Sequence, residues 1–290
     1  MTSKAQLEET GAALLPPYLF HKMVNLRAQL LFALWTNKNL LRPNQEFKGI
    51  AKGKRAFLLA TGPSLKLDNV KLLKNEDCFS ISNFFLHDDL YTVLPKLHFF
   101  APYHKPLVLN NYLEWLTEGD AKLPAETNIV LGHTTRELVK EHNLFANRKV
   151  FYLFLEGMFS GNFNITKPIM GPQTGPIMMI PWLLYMGYSE IYLLGCDHTI
   201  FRDYGKTTHN FYSAKKDIRE NATNGDNWPD ILTLLKFTDR TFRQYGYYKK
   251  TAEKLNVRIT NLSQDSWLNS FEKKTLEEVM CTAPNNRLEP

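Results

Sequence analysis

The sequence predicts an α/β protein: a three-layer fold with a mostly parallel sheet, an N-terminal helical extension and one lid insertion. The main observation is that short buried apolar runs alternate with helix-like segments between residues 56 and 261. This alternation is typical of a layered α/β domain. The chain has 290 residues and 44% hydrophobic side chains, which is enough for a sizeable core. A long polar stretch interrupts the alternation once, and this predicts the insertion.

Residues 1–52 form the N-terminal extension. Large apolar side chains recur there at intervals of three and four residues, namely Leu19, Met23, Leu26, Leu30 and Leu34. This spacing predicts an amphipathic helix. We favour packing of this helix on the main domain. The alternative is a peripheral contact with a membrane surface, because basic residues accompany the apolar side.

Residues 53–280 form the main domain. Strands are predicted at residues 56–60, 79–82, 97–101, 128–131, 150–154, 190–194 and 257–261. Helices are predicted at residues 64–73 and 134–142, from the turn at 173–176 to residue 186, and in a long segment that carries the stripe Leu234, Phe237, Tyr245, Tyr248, Ala252 and Leu255. Such an order of elements is typical of a sheet with crossover helices.

Residues 197–229 are predicted to form a lid. This stretch is rich in His, Asn, Thr and Asp and has little hydrophobic periodicity. Connections longer than about 15 residues are uncommon in compact domains and are usually functional lids or disordered segments. Residues 281–290 are predicted to be a flexible tail, since chain ends without apolar periodicity are commonly frayed.

Composition limits the classes of function. Three widely spaced cysteines fit neither a disulfide framework nor a zinc site, and they indicate a reducing compartment. The net charge of +6 favours an anionic partner, but the basic residues are dispersed, so nucleic acid is not predicted. The start of the chain lacks the order of a signal peptide, and the longest apolar run, residues 177–186, is too short to span a bilayer. We therefore predict a cytoplasmic protein.

The turn Thr61-Gly-Pro-Ser64 follows the first predicted strand. It lies at the carboxyl edge of the sheet, where open α/β sheets bind their ligands. Gly62 permits a close approach of the backbone, and Ser64 can cap the next helix and leave amides free for an anion. Thr61, Gly62, Pro63 and Ser64 are therefore candidate phosphate-binding residues, and a plain turn with a helix cap is the alternative. The motif has neither a dinucleotide fingerprint nor a P-loop.

Two further stretches carry candidate residues at the same edge. Gln173, Thr174 and Gly175 open a second helix, whose N-terminus suits an anion. Asp197 and His198 end a strand; a carboxylate there suits a ribose hydroxyl or a metal, and a histidine suits proton transfer. In each case a capping or strand-end hydrogen bond is the alternative.

Further candidates lie in the lid and after the second strand. His209 is a second candidate base, although exposed loop histidines are usually inert. Tyr212 belongs to the same lid segment. Asn83 closes the second strand and suits a base or sugar hydroxyl, or simply ends the strand. No Asp-x-Asp pair lies beside a strand, so no metal ligands are predicted.

Four motifs together resemble the bacterial family-42 sialyltransferases and the related MptE-like proteins. They are Ala60-Thr-Gly-Pro-Ser-Leu65, Ser82-Asn-Phe84, Met186-Gly-Tyr-Ser-Glu-Ile-Tyr-Leu-Leu-Gly-Cys-Asp197 with the preceding Thr174-Gly-Pro, and Ile259-Thr-Asn-Leu-Ser263. The third is the most specific. The resemblance covers residues 55–275 in order and leaves out the N-terminal helix. It implies a Rossmann-like domain that binds a nucleotide-activated substrate, with a lid after the Gly-x-Asp strand.

The resemblance implies a glycosyltransferase that uses a nucleotide-activated sugar in surface-glycan synthesis, and in the sialyltransferases the donor is CMP-sialic acid. In the sialyltransferases the transfer inverts the anomeric centre, a lid histidine is the base and no metal is required. This sequence departs in two places: Thr61 replaces an asparagine, and no histidine stands near Lys236-Phe-Thr-Asp239. His209 or His198 is then the predicted base, with Asp197 beside it. The expected partners are a nucleotide-sugar donor and a glycan or lipid-linked acceptor, which would place the protein at the inner membrane.

The alternatives are an MptE-type pyrophosphokinase, for which Mg²⁺ would be the cofactor, and an inactive nucleotide-binding module.

Overall fold

A computed structural model describes residues 14–104, 107–205, 210–213, 218 and 230–281. Its eight strands form one parallel sheet in the order β5-β4-β3-β2-β1-β6-β7-β8. The chain moves outward from β1 to β5 and then returns to add β6, β7 and β8 on the other side of β1. The order therefore reverses between β1 and β6. In open parallel sheets such a switch point creates a crevice at the carboxyl ends of the two strands.

The strands are short, and they are joined by helices of unequal length. The strands are β1 Arg55–Leu59, β2 Cys78–Ile81, β3 Leu97–Phe99, β4 Asn128–Gly132, β5 Val150–Leu153, β6 Glu190–Leu194, β7 Arg258–Asn261 and β8 Glu272–Lys273. The α-helices are α1 Pro17–Leu34, α2 Leu90–Val93, α3 Leu109–Lys122, α4 Arg136–Glu141, α5 Gly175–Met186, α6 Ile231–Lys254 and α7 Leu276–Cys281. The predicted α/β class and parallel sheet are confirmed.

Apolar side chains cover both faces of the sheet. In β1, Ala56 and Leu58 point into one core with α5 and α6, whereas Phe57 and Leu59 point into the other core with α3 and α7. This alternation follows from the two-residue period of a strand. Helix α5 is buried along its whole length from Pro176 onward, and Gly187, with a φ of 86°, ends it in the left-handed conformation.

The helix predicted at residues 64–73 is wrong. Two short 3-10 helices, Pro63–Lys66 and Val70–Leu73, occupy this stretch. The amide of Ser64 donates to the Asp197 carboxylate, which lies in a distant part of the sequence, so this stretch departs from a regular helical hydrogen-bond pattern. The helix predicted at residues 134–142 is shorter in the structure, since it begins at Arg136 after the 3-10 helix His133–Thr135, and no threonine side chain caps it.

Helix α1 is confirmed, and it packs on the domain. Phe20 and Ala28 are its buried residues. The leucine and methionine stripe lies on the opposite side and faces outward: Leu19, Met23, Leu26, Leu30 and Leu34 are all exposed. In α6, Phe237 and Leu255 of the predicted stripe are exposed as well, whereas the other four members are buried.

Most of the lid predicted at residues 197–229 lies outside the described residues, and so do residues 282–290 of the predicted tail. Within the part of the chain that the structure does describe, no helix has the length and apolarity needed to cross a bilayer.

Candidate functional site

A cavity of about 290 Å³ opens at the carboxyl edge of the sheet, at the switch point between β1 and β6. Five chain segments meet there: the residues that follow β1, β2, β3 and β6, and the first turn of α5. The lining comprises Ala60, Thr61, Gly62, Pro63, Ile81, Ser82, Ala101, Thr174, Gly175, Pro176, Gly195, Cys196, Asp197, His198, Thr199, Ile200 and Asn210. The cavity therefore lies where the topology of an open α/β sheet places a ligand.

The turn after β1 is locked onto the corner after β6. Gly62 donates its amide to the carbonyl oxygen of Gly195 at 2.8 Å, and Ser64 donates both its amide, at 2.7 Å, and its hydroxyl to the Asp197 carboxylate. A Cβ on Gly62 would lie 2.5 Å from the Gly195 oxygen, so only glycine permits this approach. Gly195 itself has a φ of 67°, which favours glycine as well.

These bonds change the role of the Thr61-Gly-Pro-Ser64 turn. The amides of Gly62 and Ser64 are bonded to the β6 corner, the amide of Leu65 donates to Gly62, and Pro63 has no N–H. The expectation that Ser64 caps a helix and leaves amides free for an anion is therefore wrong. Thr61, Gly62 and Pro63 line the cavity as a wall, while Ser64 lies behind it and holds Asp197.

Asp197 is buried and strongly held. Burial raises the pKa of its carboxyl group, and the two donors of Ser64 oppose that rise. The backbone oxygen of Asp197 accepts from the Trp267 amide at 2.8 Å. The preceding residue, Cys196, is fixed through its amide and carbonyl by the hydroxyls of Ser263 and Ser266. The corner is therefore held at several points. Asp197 is a lining residue of the cavity, and each oxygen of a carboxylate can accept more than one hydrogen bond.

His198 lines the cavity in a left-handed conformation, with a φ of 52°. Its Nε2 lies 2.8 Å from the Tyr245 hydroxyl of α6. Burial lowers the pKa of His198 to about 4, so the imidazole is neutral at pH 7. This histidine is a hydrogen-bonding group that is tied to α6, and in this state it is a weak base.

The first turn of α5 enters the cavity with Thr174 and Gly175. The helix has 12 residues, no side chain caps its N-terminus, and no acidic residue lies in its first turn. None of the described residues that line the cavity is Lys or Arg. The positive end of the α5 dipole is therefore the electropositive feature of this wall. Gly175 also lets α5 approach β2, since a Cβ there would lie 2.6 Å from the Cδ1 of Ile81.

Other candidate residues lie outside the lining. The backbone amide of Gln173 donates to the side-chain oxygen of Gln244 on α6, and this bond anchors the start of α5. Asn83 is fully buried behind the wall, where its Oδ1 accepts from Trp115. Tyr212 is buried against Phe211. His209 lies outside the described residues.

Ser82 is a lining residue that the sequence reasoning missed. It has a φ of 60°, a strained conformation for serine. Buried His98 holds it there: its Nε2 donates to the carbonyl oxygen of Ser82 at 2.9 Å, while its Nδ1 accepts from Ser80 at 2.8 Å. Burial lowers the pKa of His98 to about 3, which keeps this ring neutral. Ser82 belongs to the motif Ser82-Asn-Phe84, from which the sequence prediction took Asn83 as the candidate.

Asn210 is the other addition. It lines the cavity 3.4 Å from the Thr61 hydroxyl, and the amide of Phe211 donates to the Thr61 carbonyl at 3.0 Å. Residues 210–211, which belong to the predicted lid, are thus anchored to the turn after β1. Among the residues that the structure describes, no group of three or more His, Cys, Asp or Glu side chains is arranged to hold a metal ion.

No family model matches the sequence, and no curated protein matches it. Among solved structures, the chain is similar to the sialyltransferase CST-II in complex with a trisaccharide acceptor and CMP, at 16% identity and a TM-score of 0.44, over 76% of this chain and 85% of that chain. A structure of CstII from Campylobacter jejuni with CMP matches at 16% identity and a TM-score of 0.44, over 77% and 85% of the two chains. A mutant of the alpha-2,3/8-sialyltransferase CstII matches at 17% identity and a TM-score of 0.41, over 76% and 86%.

These three structures are sialyltransferases, the class of enzyme that the sequence motifs resemble, and none of the three is an MptE-like protein. The chemistry proposed for this chain rests on its own cavity and motifs.

Proposed function

We propose that this protein is a cytoplasmic glycosyltransferase that takes a sugar from a nucleotide-activated donor, with CMP as the nucleotide, and transfers it to a glycan or lipid-linked acceptor. One observation carries the proposal: the cavity at the β1/β6 switch point combines an uncapped helix N-terminus with a buried carboxylate. The first suits a phosphate and the second suits a ribose hydroxyl. The ordered motifs from residue 55 to residue 275 support the choice of donor class.

In this proposal the phosphate binds at Thr174 and Gly175. The amide of Gly175 and the Thr174 hydroxyl are the donors at that point, and the helix dipole stabilises the negative charge that grows on the leaving nucleotide. Asp197 accepts a hydrogen bond from a ribose hydroxyl, and Ser82 lies across the cavity as a second polar partner. The donor is thereby oriented with its sugar toward the predicted lid.

We assign His209 as the base that removes the proton from the acceptor hydroxyl, so that the transfer inverts the anomeric centre. His198 is the less suitable candidate, because its pKa is lowered to about 4 and its Nε2 is engaged with Tyr245. Asn210, the next residue after His209, lines the cavity. A well-placed base contributes roughly 10²–10⁴ in rate. The acceptor would belong to a bacterial surface glycan, assembled at the inner face of the inner membrane.

Nucleotide binding tests the donor class. Thermal unfolding is measured with CMP, UMP, GDP and ATP, each with and without Mg²⁺. A ligand at 100 times its Kd stabilises the folded state by about 2.7 kcal/mol. We expect CMP to raise the melting temperature without Mg²⁺. A rise with ATP and Mg²⁺ alone would contradict the transferase and support a pyrophosphokinase.

Histidine variants test the assignment of the base. CMP release from a CMP-sugar donor is followed in the presence of an acceptor glycan. His209→Ala should lower kcat by at least about 100-fold, since the base contributes that much. Exposed His142 provides the matched control, and His142→Ala should leave the rate unchanged. Full activity of His209→Ala would overturn the assignment, and loss of activity in His198→Ala alone would transfer the role to His198.

A further inference from the structure

The outer face of α1 is an apolar surface. The five side chains Leu19, Met23, Leu26, Leu30 and Leu34 are each 47–79% exposed, and together they form a stripe along the whole helix. Leu14 and Tyr18 extend the stripe at its start, with 77% and 65% exposure. Single exposed apolar residues are normal, but a contiguous stripe of this size marks an interaction site.

The orientation of α1 is set by its other face. Phe20 and Ala28 are buried against the domain. The side-chain oxygen of Asn25 accepts from the Met158 amide at 2.8 Å, and Phe32 packs edge-on against Phe154 with ring centroids 5.2 Å apart. The helix is therefore held on the domain by a specific set of contacts. Within the described part of the chain, the outward stripe is exposed.

The charges around the stripe have one sign. Residues 14–45 contain no Asp or Glu, whereas they contain Lys22, Arg27, Lys38 and Arg42. Arg27 faces Glu156 of the domain at 3.5 Å. Lys22 lies over the Tyr18 ring and Lys38 donates to the Ala33 carbonyl at 2.6 Å, but both are exposed and, like Arg42, form no ion pair with a described residue. The whole chain carries a net charge of +6. An apolar stripe with basic neighbours is the pattern of a helix that lies in the headgroup region of an anionic bilayer.

We infer that α1 docks this protein on the surface of an anionic phospholipid bilayer, with its outer stripe in the interface and Lys22, Lys38 and Arg42 against the headgroups. A bilayer fits better than a second copy of this chain, because two copies of the stripe would bring their basic residues together. The inference is independent of the reaction proposed above. If both hold, the docked enzyme would meet a lipid-linked acceptor at the same surface.

Vesicle flotation tests the inference on the full chain without nucleotide. The probes are vesicles of phosphatidylcholine with 25% phosphatidylglycerol and vesicles of pure phosphatidylcholine, at low and high salt. We expect binding to the anionic vesicles that weakens at high salt, because ions screen the attraction. The double variant Leu26→Gln, Leu30→Gln should bind at least about tenfold more weakly. The matched control Leu72→Gln, Leu255→Gln removes exposed leucines from other surfaces and should bind like the wild type.

Three outcomes would overturn the inference. The first is no binding of the wild type to anionic vesicles. The second is an equal loss of binding in the control variant. The third is a dimer in solution that the Leu26→Gln, Leu30→Gln variant converts to monomer, without vesicle binding, since the stripe would then be a contact between copies. The unfolding midpoint of that variant should stay within about 1 °C of wild type, because exposed substitutions have little effect on stability. A failure of nucleotide binding leaves this test intact.

Discussion

Replacing Ser64 with alanine tests whether the β1 turn and the β6 corner are locked through Asp197. The Ser64 hydroxyl donates to one oxygen of the Asp197 carboxylate and the Ser64 amide donates to the other. Ser64 and Asp197 are only 3% exposed, so water cannot easily replace the hydroxyl. The variant keeps the amide bond and removes the side-chain bond, and it therefore isolates one donor to a buried carboxylate.

The expected cost is about 2 kcal/mol at pH 8, since a hydrogen bond to a charged group contributes roughly 1.5–3 kcal/mol. The cost depends on pH. Burial raises the pKa of Asp197 and the Ser64 hydroxyl opposes the rise, so Ser64→Ala should raise this pKa further. A raised folded-state pKa of a carboxyl group lowers stability as pH increases. The penalty should therefore be larger at pH 8 than in acid, because a larger fraction of Asp197 is ionised at the higher pH.

Urea unfolding, monitored by tryptophan fluorescence at pH 5 and pH 8, measures this penalty. The matched control is Ser189→Ala, which removes an exposed hydrogen bond from a serine hydroxyl to the Lys54 carbonyl and should cost less than about 0.5 kcal/mol. For a chain of 290 residues, a cost of about 2 kcal/mol corresponds to a fall in Tm of about 3 °C. Equal costs for Ser64→Ala and Ser189→Ala, or a larger cost at pH 5 than at pH 8, would refute the reasoning.

Three further predictions concern stability and are read from the same urea curves. His198 has a pKa of about 4 in the folded protein and 6.5 in the unfolded chain, so the unfolded chain binds the extra proton first and the protein loses stability as the pH falls. His198→Gln should therefore reduce the loss of stability between pH 7.5 and pH 5 by up to about 2 kcal/mol. An unchanged pH dependence would contradict this. Gly62→Ala should cost about 1–3 kcal/mol, since its Cβ would lie 2.5 Å from the Gly195 oxygen. The control Gly246→Ala, which lies in open space on α6, should not destabilise the protein. Equal effects of the two substitutions would argue against the close approach of Gly62 to Gly195. Asp68→Asn should stabilise by roughly 1–2 kcal/mol at pH 8 and by less than half of that at pH 5, because both of its oxygens are buried without a partner among the described residues and burial raises its pKa to about 7. A loss of stability at pH 8 would show that the carboxylate is needed.

The sequence predicts seven of the eight described strands, because each of these is a short run of mostly buried residues, and it misses the two-residue strand β8, which is exposed. Residues 56–60 were predicted for β1, and the strand is Arg55–Leu59. The carboxyl-edge position of the candidate residues follows from the same pattern, so Thr61, Thr174, Asp197 and His198 do meet in one cavity. The position of a strand can be read from its local pattern of apolar residues, and the edge at which the candidate residues lie follows from the parallel direction of the strands.

Other features depend on contacts between distant residues, which periodicity does not report. The bond from Ser64 to Asp197 joins residues 133 positions apart, and the sequence alone gives Ser64 the role of a helix cap. The left-handed conformation of Ser82 depends on a contact with buried His98, which the sequence does not reveal. The sequence therefore indicates the neighbouring Asn83 as the candidate and not Ser82. The spacing in α1 reveals an apolar stripe but does not show whether that stripe or the opposite side, with Phe20, packs on the domain.

Titration of CMP into the wild type and two variants of Thr174 tests the central claim, that the N-terminus of α5 holds the phosphate of the donor. Thr174 occupies the N-cap position and makes no side-chain capping bond. Thr174→Asp should cap α5 and raise the melting temperature, yet its charge should repel the phosphate and weaken CMP binding by at least about tenfold. Thr174→Asn caps without charge and should lose clearly less affinity than Thr174→Asp, because it removes the hydroxyl donor but adds no repulsion. Unchanged CMP affinity in Thr174→Asp, or equal losses in both variants, would contradict the claim.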